Sequence, residues 1–232
     1  PFKSLFTQGM VCHSTFKNEK GALVFPSDVE NKDGKLYQAS NGLEVTMGPN
    51  ESMSKSKKNV IDPEEIIKNY GSDSARWFML SDSPPERDIN WSDSGIHGSW
   101  RFCQKIWTTI TSNINLLRDN DTENDASEYS ASAKSLLQKT HQSLDAVTNS
   151  IEKFQMNVGV AKIYELINHI SKFKPTQSNE KRALQISLKI LIRIIEPMVP
   201  HLAEECWYLC GNTQSLTTEP WPKIDKKFIV KE

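Results

Sequence analysis

The chain has 232 residues, with 28 Lys and Arg against 29 Asp and Glu, so its formal net charge is −1. This balance excludes a protein that is held to nucleic acid or to an anionic membrane by its bulk charge. This length predicts one or two domains, and a content of 37% hydrophobic residues is typical of globular ones. No apolar run approaches the roughly 20 residues that span a bilayer. The four scattered cysteines predict no disulfide framework and favour a reducing, cytoplasmic location.

The first 50 residues carry the signals of short strands joined by tight turns. Apolar stretches at residues 22–25, 36–37 and 43–47 are separated by Asn31-Lys32-Asp33-Gly34 and by Asn41-Gly42. Asp-Gly and Asn-Gly pairs favour the positive φ angles of two-residue hairpin turns. A small segment of hairpins is therefore predicted at the start of the chain.

Two short helices are predicted next, between residues 62 and 84. Asp62 can cap the first helix, Pro63 suits its first position, and Gly71 can end it. The second helix begins at Ser72 or Asp73 and must end before Pro84 and Pro85. We predict a compact connecting module here.

The rest of the chain has the periodicity of a helical bundle. Residues 99–158 contain neither Gly nor Pro, and apolar residues recur at alternating spacings of four and three. One stripe includes Trp100, Trp107 and Ile110, and a second runs from Ala133 to Phe154. An acidic loop is predicted at 119–128, and further helices at 158–173, 179–196 and 199–210. The predicted fold class is mainly α, a helical bundle preceded by a small mixed α/β segment.

The residues best suited to chemistry lie in the loop just before Asp62. Residues 52–58 hold three lysines and three serines. A loop of ammonium and hydroxyl donors suits the oxygens of a triphosphate, which need charge neutralisation. A lysine run alone is more often a solvated basic loop, so the order of the letters must decide.

That order, Met53-Ser54-Lys55-Ser56, resembles the KMSKS signature of class I aminoacyl-tRNA synthetases. The residues that follow, through Met79, look like the leucine, isoleucine and valine enzymes. Residues 1–11, 83–95 and 220–222 look like leucyl-tRNA synthetases of the bacterial type. Ser52 departs from the pattern, because the signature has Lys there. Lys57 or Lys58 could replace the missing positive charge only if their side chains reach the site.

The resemblance implies a C-terminal portion of such an enzyme, and the start at Pro1, without an initiator Met, suggests the same. It divides the chain into the end of the catalytic domain (1–50), the KMSKS loop with its connecting helices (51–92) and an anticodon-binding domain (93–232). The nucleotide-binding half and the editing domain would lie upstream. It further implies leucine, tRNA(Leu) and ATP as substrates, Mg²⁺ with the ATP, and no membrane partner. Lys55 would be catalytic, and the ATP-binding residues would be Met53, Ser54, Lys55 and Ser56.

Two alternatives to a leucine enzyme stay open. Amino-acid selection depends largely on residues outside this chain, so a valyl- or isoleucyl-tRNA synthetase is the first alternative. A noncatalytic helical RNA-binding module is the second. The fragment by itself is expected to be inactive.

A basic surface for tRNA is predicted on the helices between residues 150 and 193, which hold eight basic residues and three acidic ones. Such a face binds phosphates with little sequence information, although a solvated face is an equally weighted alternative. The first choices surround Pro175: Lys172, Lys174, Lys181 and Arg182.

Other conspicuous residues favour structural roles. Cys206, Cys210 and nearby His201 offer too few ligands for a zinc site, so no metal is predicted. Cys12-His13 is a lone pair without further catalytic partners. Asp73 and Arg76 are expected to cap and staple a helix start. Trp100 and Trp107 are expected in the core, while the roles of Trp91 and Trp221 stay open.

Overall fold

A computed structural model describes residues 5–119 and 128–229, so most of the predicted acidic loop, residues 120–127, lies outside the described residues. The chain forms two compact units. The first comprises residues 1–71 and 85–97, and the second comprises 72–84 and 98–232. The division at residues 50 and 92 stays a prediction.

The first unit is built around a small, mostly antiparallel sheet. Its strands are β1 (Val11–Asn18), β2 (Leu23–Val24), β3 (Val29–Lys32), β4 (Lys35–Gln38), β5 (Glu44–Ser52) and β6 (Ile89–Asn90). The order is β2-β1-β5-β4-β3, and β6 pairs with β1 in parallel. Phe16, Val24 and Val45 form its buried apolar cluster. The long strands β1 and β5 therefore lie at the centre of the sheet.

The turn at Asp33-Gly34 and the first helix cap are present as predicted, whereas Asn41-Gly42 is part of a four-residue loop between Gln38 and Leu43, with a positive φ at Gly42 only. Asp33 and Gly34 have φ angles of 52° and 83° between β3 and β4, as a hairpin with two positive φ angles requires. Helix α1 (Pro63–Tyr70) begins after Asp62, whose side chain accepts a hydrogen bond from the Glu64 amide at 2.9 Å. It ends at Gly71, where φ is 82°.

The second unit is a helical bundle. Its helices are α2 (Ser72–Ser81), α3 (Asp93–Thr111, from residue 98 onwards), α4 (Ile114–Leu117), α5 (Ala131–Glu152), α6 (Met156–Lys172), α7 (Ser178–Ile195) and α8 (Pro200–Leu209). Helices α5, α6 and α7 supply most of the apolar core, with side chains such as Leu137, Ile163 and Leu191 fully buried. The mainly α fold class is confirmed. Within the described ranges, no helix has the length and apolar character to cross a membrane.

Two residues expected on the apolar stripes are exposed, so those predictions are wrong. Trp107 is 37% exposed, because the buried face of α3 runs through Phe102, Ile106 and Ile110 instead. Phe102, Ile106 and Ile110 are four residues apart, which also keeps side chains on one side of a helix. Periodicity alone therefore does not fix which of two neighbouring faces turns inward. Phe154 is 52% exposed because α5 ends at Glu152, before the stripe does.

Asp73 and Arg76 join α2 to the ends of two other helices. Asp73 accepts a hydrogen bond from the Leu202 amide at 2.6 Å, near the start of α8, and contacts His201 Nδ1 at 2.9 Å. Arg76 donates to the carbonyls of Pro197 and Met198, just after α7. Asp73 therefore satisfies an amide that the start of α8 leaves without a partner, and Arg76 satisfies two carbonyls of the segment between α7 and α8. The expected role at a helix start is therefore found for Asp73, which acts on α8, but not for Arg76, which binds the segment after α7.

Candidate functional site

The Met-Ser-Lys-Ser loop joins the central strand β5 to helix α1. Ser52, the last residue of β5, pairs with Cys12 on β1, and the Met53 amide donates to the Val11 carbonyl at 3.0 Å. The loop therefore leaves the sheet from its two longest strands. A rigid base of this kind positions loop residues well.

The side chain of Asn59 ties the two ends of this loop together. It is fully buried, and its Oδ1 accepts a hydrogen bond from the Ser54 amide at 2.9 Å. Its Nδ2 donates to the carbonyls of His13 and Glu51 at 3.0 Å each, with a longer contact of 3.4 Å to Ser52. Sequence reasoning missed this role, because nothing in the letters distinguishes Asn59 from a solvated loop amide.

The loop serines hydrogen-bond within the loop itself. Ser54 Oγ accepts from the Lys57 amide at 3.3 Å and lies 3.1 Å from Ser56 Oγ. The Lys58 amide donates to the Lys55 carbonyl at 3.2 Å. These bonds fold residues 54–58 into a turn.

The three lysines of the loop differ in what they contact. Lys57 Nζ lies 2.6 Å from Glu51 Oε2, and Lys58 Nζ lies 5.4 Å from the centre of the Phe25 ring. Lys55 is exposed, and among the described residues no ion pair or hydrogen bond engages its ammonium group. Lys57 and Lys58 are thus occupied, whereas Lys55 can receive an anion without breaking an existing contact.

The side chains of the described residues do not fit a resident Mg²⁺. They contain no group of three or more His, Cys, Asp or Glu arranged to hold a metal ion. The loop itself is cationic, and the carboxylate of Glu51 beside it is paired with Lys57. Mg²⁺ prefers carboxylate, phosphate and water oxygens. This part of the chain therefore offers Mg²⁺ no ligand set of its own.

The basic residues chosen around Pro175 also differ in their contacts. Lys172, Lys174 and Lys181 are exposed. The guanidinium carbon of Arg182 lies 4.1 Å from the centre of the Tyr129 ring, so this side chain has a structural contact. Three of the four residues thus remain suited to binding phosphates, and that role stays a prediction.

Glu180 holds the turn that carries these lysines. Its carboxylate accepts hydrogen bonds from the Thr176 amide at 2.8 Å, from the Thr176 hydroxyl at 2.9 Å and from Ser130 at 3.1 Å, and it also binds Ser132. These bonds, with that of Ser132 contributing most, lower the pKa of Glu180 from 4.5 to about 2. Sequence reasoning counted Glu180 only as a negative charge.

A groove of about 380 Å³ lies beside the same turn. Its lining includes Lys105 and Lys174 together with Thr108, Ser112 and Ser171. Lys105 Nζ donates to Asn168 Oδ1 at 2.6 Å. Hydroxyl and ammonium groups therefore continue the basic surface onto helix α3.

The cysteines have the surroundings of structural residues. Burial raises the pKa of the Cys206 thiol to about 12, and burial likewise raises the pKa of Cys12. A thiol that resists deprotonation is a poor nucleophile and a poor metal ligand. The structural interpretation of Cys206 and Cys12 is consistent with these shifts.

Comparison with known proteins shows what the chain is similar to. A family model described as the anticodon-binding domain of tRNA ligase matches residues 133–232, and one described as tRNA synthetases class I (I, L, M and V) matches residues 41–92. The leucine–tRNA ligase of Parvibaculum lavamentivorans is 44% identical over 236 residues, and that of Maricaulis maris is 43% identical over 232 residues. The chain is a leucine–tRNA ligase homologue over its whole length. It spans 27% of the length of each of these relatives.

Solved structures agree with this homology. A LeuRS–tRNA–LeuAMS ternary complex from Agrobacterium radiobacter K84 matches with a TM-score of 0.69 and 26% identity, over 77% of this chain and 23% of that one. A methionyl-tRNA synthetase of Mycobacterium tuberculosis, bound to methionyl-adenylate, matches with a TM-score of 0.54 over 84% of this chain and 70% of that one. Its 12% identity supports the fold alone. The resemblance seen in the sequence to leucyl-tRNA synthetases is confirmed.

Proposed function

We propose that this chain is the C-terminal part of a leucine–tRNA ligase, the enzyme that activates leucine with ATP and transfers it to tRNA(Leu). The observation that carries the proposal is 44% identity to such a ligase across all of this chain. The chain would supply the KMSKS loop and a helical tRNA-contacting domain. Because the chain spans 27% of the length of its relatives, the rest of the active site would lie outside it, and the fragment alone is expected to be inactive. The whole protein would work in the cytoplasm.

In the first step of this reaction, negative charge develops on the departing pyrophosphate, which the cationic loop could bind. A carboxylate oxygen of leucine attacks the α-phosphorus of ATP, the bond to the β-phosphate breaks, and pyrophosphate leaves. A hydroxyl of the terminal ribose of tRNA then attacks the leucyl carbonyl, and AMP leaves. Catalysis of such steps depends mainly on positioning and electrostatics.

Lys55 is the residue that we assign to the departing pyrophosphate. Its ammonium group is exposed, whereas Lys57 is paired with Glu51 and Lys58 lies against Phe25. Met53, Ser54 and Ser56 would complete the ATP-binding loop. Mg²⁺ would arrive bound to the phosphates of ATP, since the described side chains form no ligand set for it.

Leucine-dependent exchange of pyrophosphate into ATP tests this function. The full-length protein should exchange pyrophosphate into ATP when leucine is present. Lys55→Ala should lower the exchange rate about a hundred- to a thousandfold, as loss of a preorganised charge donor does. Lys57→Ala is the matched control, because Glu51 already neutralises the charge of Lys57. This variant should lower the exchange rate by less than about tenfold.

Three outcomes would change the proposal. Exchange with valine or isoleucine instead would reassign the enzyme within the class. RNA binding without any exchange would favour the noncatalytic module. A Lys55→Ala variant with near-normal exchange would remove the role that we give to Lys55.

A further inference from the structure

The amide side chain of Asn59 is an unusual group to find at the base of an exposed loop. It is 0% exposed, while Lys55 and Ser56 at the tip of the loop are exposed. A buried amide is tolerated only when its polar atoms have partners. The two N–H groups of Nδ2 meet the carbonyls of His13, Glu51 and Ser52, and Oδ1 meets the Ser54 amide.

These partners also fix the orientation of the amide. The three carbonyls can only accept hydrogen bonds and the Ser54 amide can only donate one, so the alternative orientation of the Asn59 side chain would lose every bond. Aspartate at this position would keep the acceptor for Ser54 but would have no donor for the carbonyls. The site therefore selects asparagine by its chemistry.

The bonds of Asn59 clamp the chain on both sides of Met53. Ser52 precedes Met53 at the end of β5, Ser54 follows it, and His13 belongs to the neighbouring strand β1. The other bonds in the loop run between its own members, from Lys57 to Ser54 and from Lys58 to Lys55. Among the described residues, the Met53 amide on the Val11 carbonyl, the ion pair of Lys57 with Glu51 and the bonds of Asn59 attach residues 53–58 to the sheet. Of these, only Asn59 joins the loop to both central strands at once.

We propose that Asn59 is a positioning residue that sets where Lys55 meets the phosphates of ATP. This inference rests on the proposed function and extends it to a residue outside the Met-Ser-Lys-Ser letters. By ordering the base of the loop before ATP binds, Asn59 reduces the conformational freedom that binding must remove. Among the described residues, the ammonium group of Lys55 has no partner that would hold it in place, so its position depends on the backbone of the loop.

Steady-state exchange kinetics of the full-length protein test the proposal. Asn59→Ala and Asn59→Asp should lower kcat/KM for ATP about ten- to a hundredfold and leave the KM for leucine unchanged. Asn50→Ala is the matched control. It removes an exposed asparagine of β5 whose Oδ1 accepts from Ser14 at 2.7 Å, and it should change neither constant.

A double-mutant cycle with Lys55 separates positioning from other effects. If Asn59 acts through Lys55, adding Asn59→Ala to Lys55→Ala should lower the rate less than about threefold further. Two effects that simply multiply would mean that Asn59 acts independently of Lys55. That result would overturn the proposal.

Limited trypsin digestion gives a readout that does not depend on activity. Asn59→Ala should speed cleavage after Lys55, Lys57 and Lys58 by about tenfold or more, because a loop that opens more often is cut faster. Cleavage after Lys20 and Lys35, elsewhere in the same unit, should keep its rate. Unchanged cleavage of the loop, or equal acceleration at all five sites, would overturn the proposal. If the wild-type protein shows no leucine-dependent exchange, the proposed function fails, and digestion still decides whether Asn59 holds the loop.

Discussion

At the scale of single residues, two buried polar side chains hold the two loops that carry the candidate cations. Asn59 anchors the loop of Lys55, and Glu180 anchors the turn beside Lys174 and Lys181. Removing a partner from a buried backbone group costs about 1–3 kcal/mol, whereas removing an exposed lysine costs little stability. Replacing Asn59 or Glu180 should therefore lower the free energy of unfolding, whereas replacing an exposed lysine of either loop should change it little.

The depressed pKa of Glu180 predicts a pH-dependent contribution to stability. Its pKa is about 2 in the folded chain, against an ordinary value of 4.5, so folding stabilises the ionised carboxylate relative to the protonated acid. That stabilisation is complete above pH 4.5 and is lost as the pH falls through about 2. Glu180→Gln should therefore be less stable than the wild type at neutral pH, and the difference should shrink as the pH falls.

Urea unfolding at a series of pH values measures this difference in the free energy of unfolding. Glu152→Gln, which alters an exposed carboxylate at the end of α5, serves as the control and should give a small, nearly constant difference. A deficit in Glu180→Gln that is as large near pH 2 as at neutral pH would show that ionisation of Glu180 is not the cause.

At the scale of elements, the bundle depends on close approach between helices and on caps supplied by neighbours. Asp73 and Arg76 on α2 satisfy backbone groups at the start of α8 and after α7. Gly159 on α6 is buried against α5, where an added Cβ would overlap the Ser150 hydroxyl and lie 3.3 Å from Met198 Cε. Neither feature follows from helix propensity, because both depend on which helices meet.

Gly159→Ala should therefore destabilise the bundle although alanine favours helices. The propensity gain is about 1 kcal/mol, and overpacking a filled core costs about 1–3 kcal/mol. In a Ser150→Ala background the overlap with the hydroxyl is removed and the nearest remaining atom of residue 150, its Cβ, lies at 3.5 Å. There Gly159→Ala should become neutral or stabilising by up to about 1 kcal/mol.

Thermal and denaturant unfolding of the wild type, the two single variants and the double variant measures whether the effect of Gly159→Ala on stability changes sign. Gly98→Ala is the matched control, because a Cβ at that helical position meets nothing within 4 Å, and it should stabilise by about 0.5–1 kcal/mol. A Gly159→Ala variant as stable as the wild type would mean that Ser150 rotates away at little cost.

At the scale of the whole molecule, a net charge of −1 conceals local surfaces of opposite sign. Of the basic residues between 150 and 193, Lys162 is paired with Glu165 and Arg182 contacts Tyr129. Lys172, Lys174 and Lys181 remain exposed around one turn. Binding to tRNA through these lysines would be local and sensitive to salt, because each phosphate contact releases counterions.

Replacing all three lysines by alanine should weaken tRNA(Leu) binding by the full-length protein and flatten its salt dependence. Each phosphate contact that is lost should reduce the slope of log K against log salt by about 0.7–0.9. Adding Arg182→Ala should change the slope little further, since that side chain contacts Tyr129. The measurement is a titration of binding at several salt concentrations.

The control carries the same change in net charge on the first unit, at the exposed lysines Lys17, Lys20 and Lys35. It should leave the slope near that of the wild type. Equal flattening in both triple variants would indicate a bulk effect of charge, and an unchanged slope in the Lys172, Lys174 and Lys181 variant would remove this surface from the proposal.

The sequence by itself determined the features that depend on local chemistry. Asp33-Gly34 specified a hairpin because both residues adopt positive φ, and Asp62, Pro63 and Gly71 specified the two ends of α1. The order Met53-Ser54-Lys55-Ser56 pointed to the class I synthetases, and residues 1–11 and 83–95 pointed to the leucyl type, a resemblance that comparison with the leucine–tRNA ligases confirmed. All of these signals lie within a few neighbouring letters.

Only the tertiary structure decided the features that depend on which surfaces meet. Periodicity placed Trp107 in the core, yet packing turned Phe102, Ile106 and Ile110 inward on α3. Three similar lysines in one loop became distinct only when Glu51 and Phe25 were found beside two of them. Asn59 became a candidate positioning residue because its partners include His13, which lies 46 positions earlier in the chain. Contacts between distant segments arise from packing, and local sequence carries no record of them.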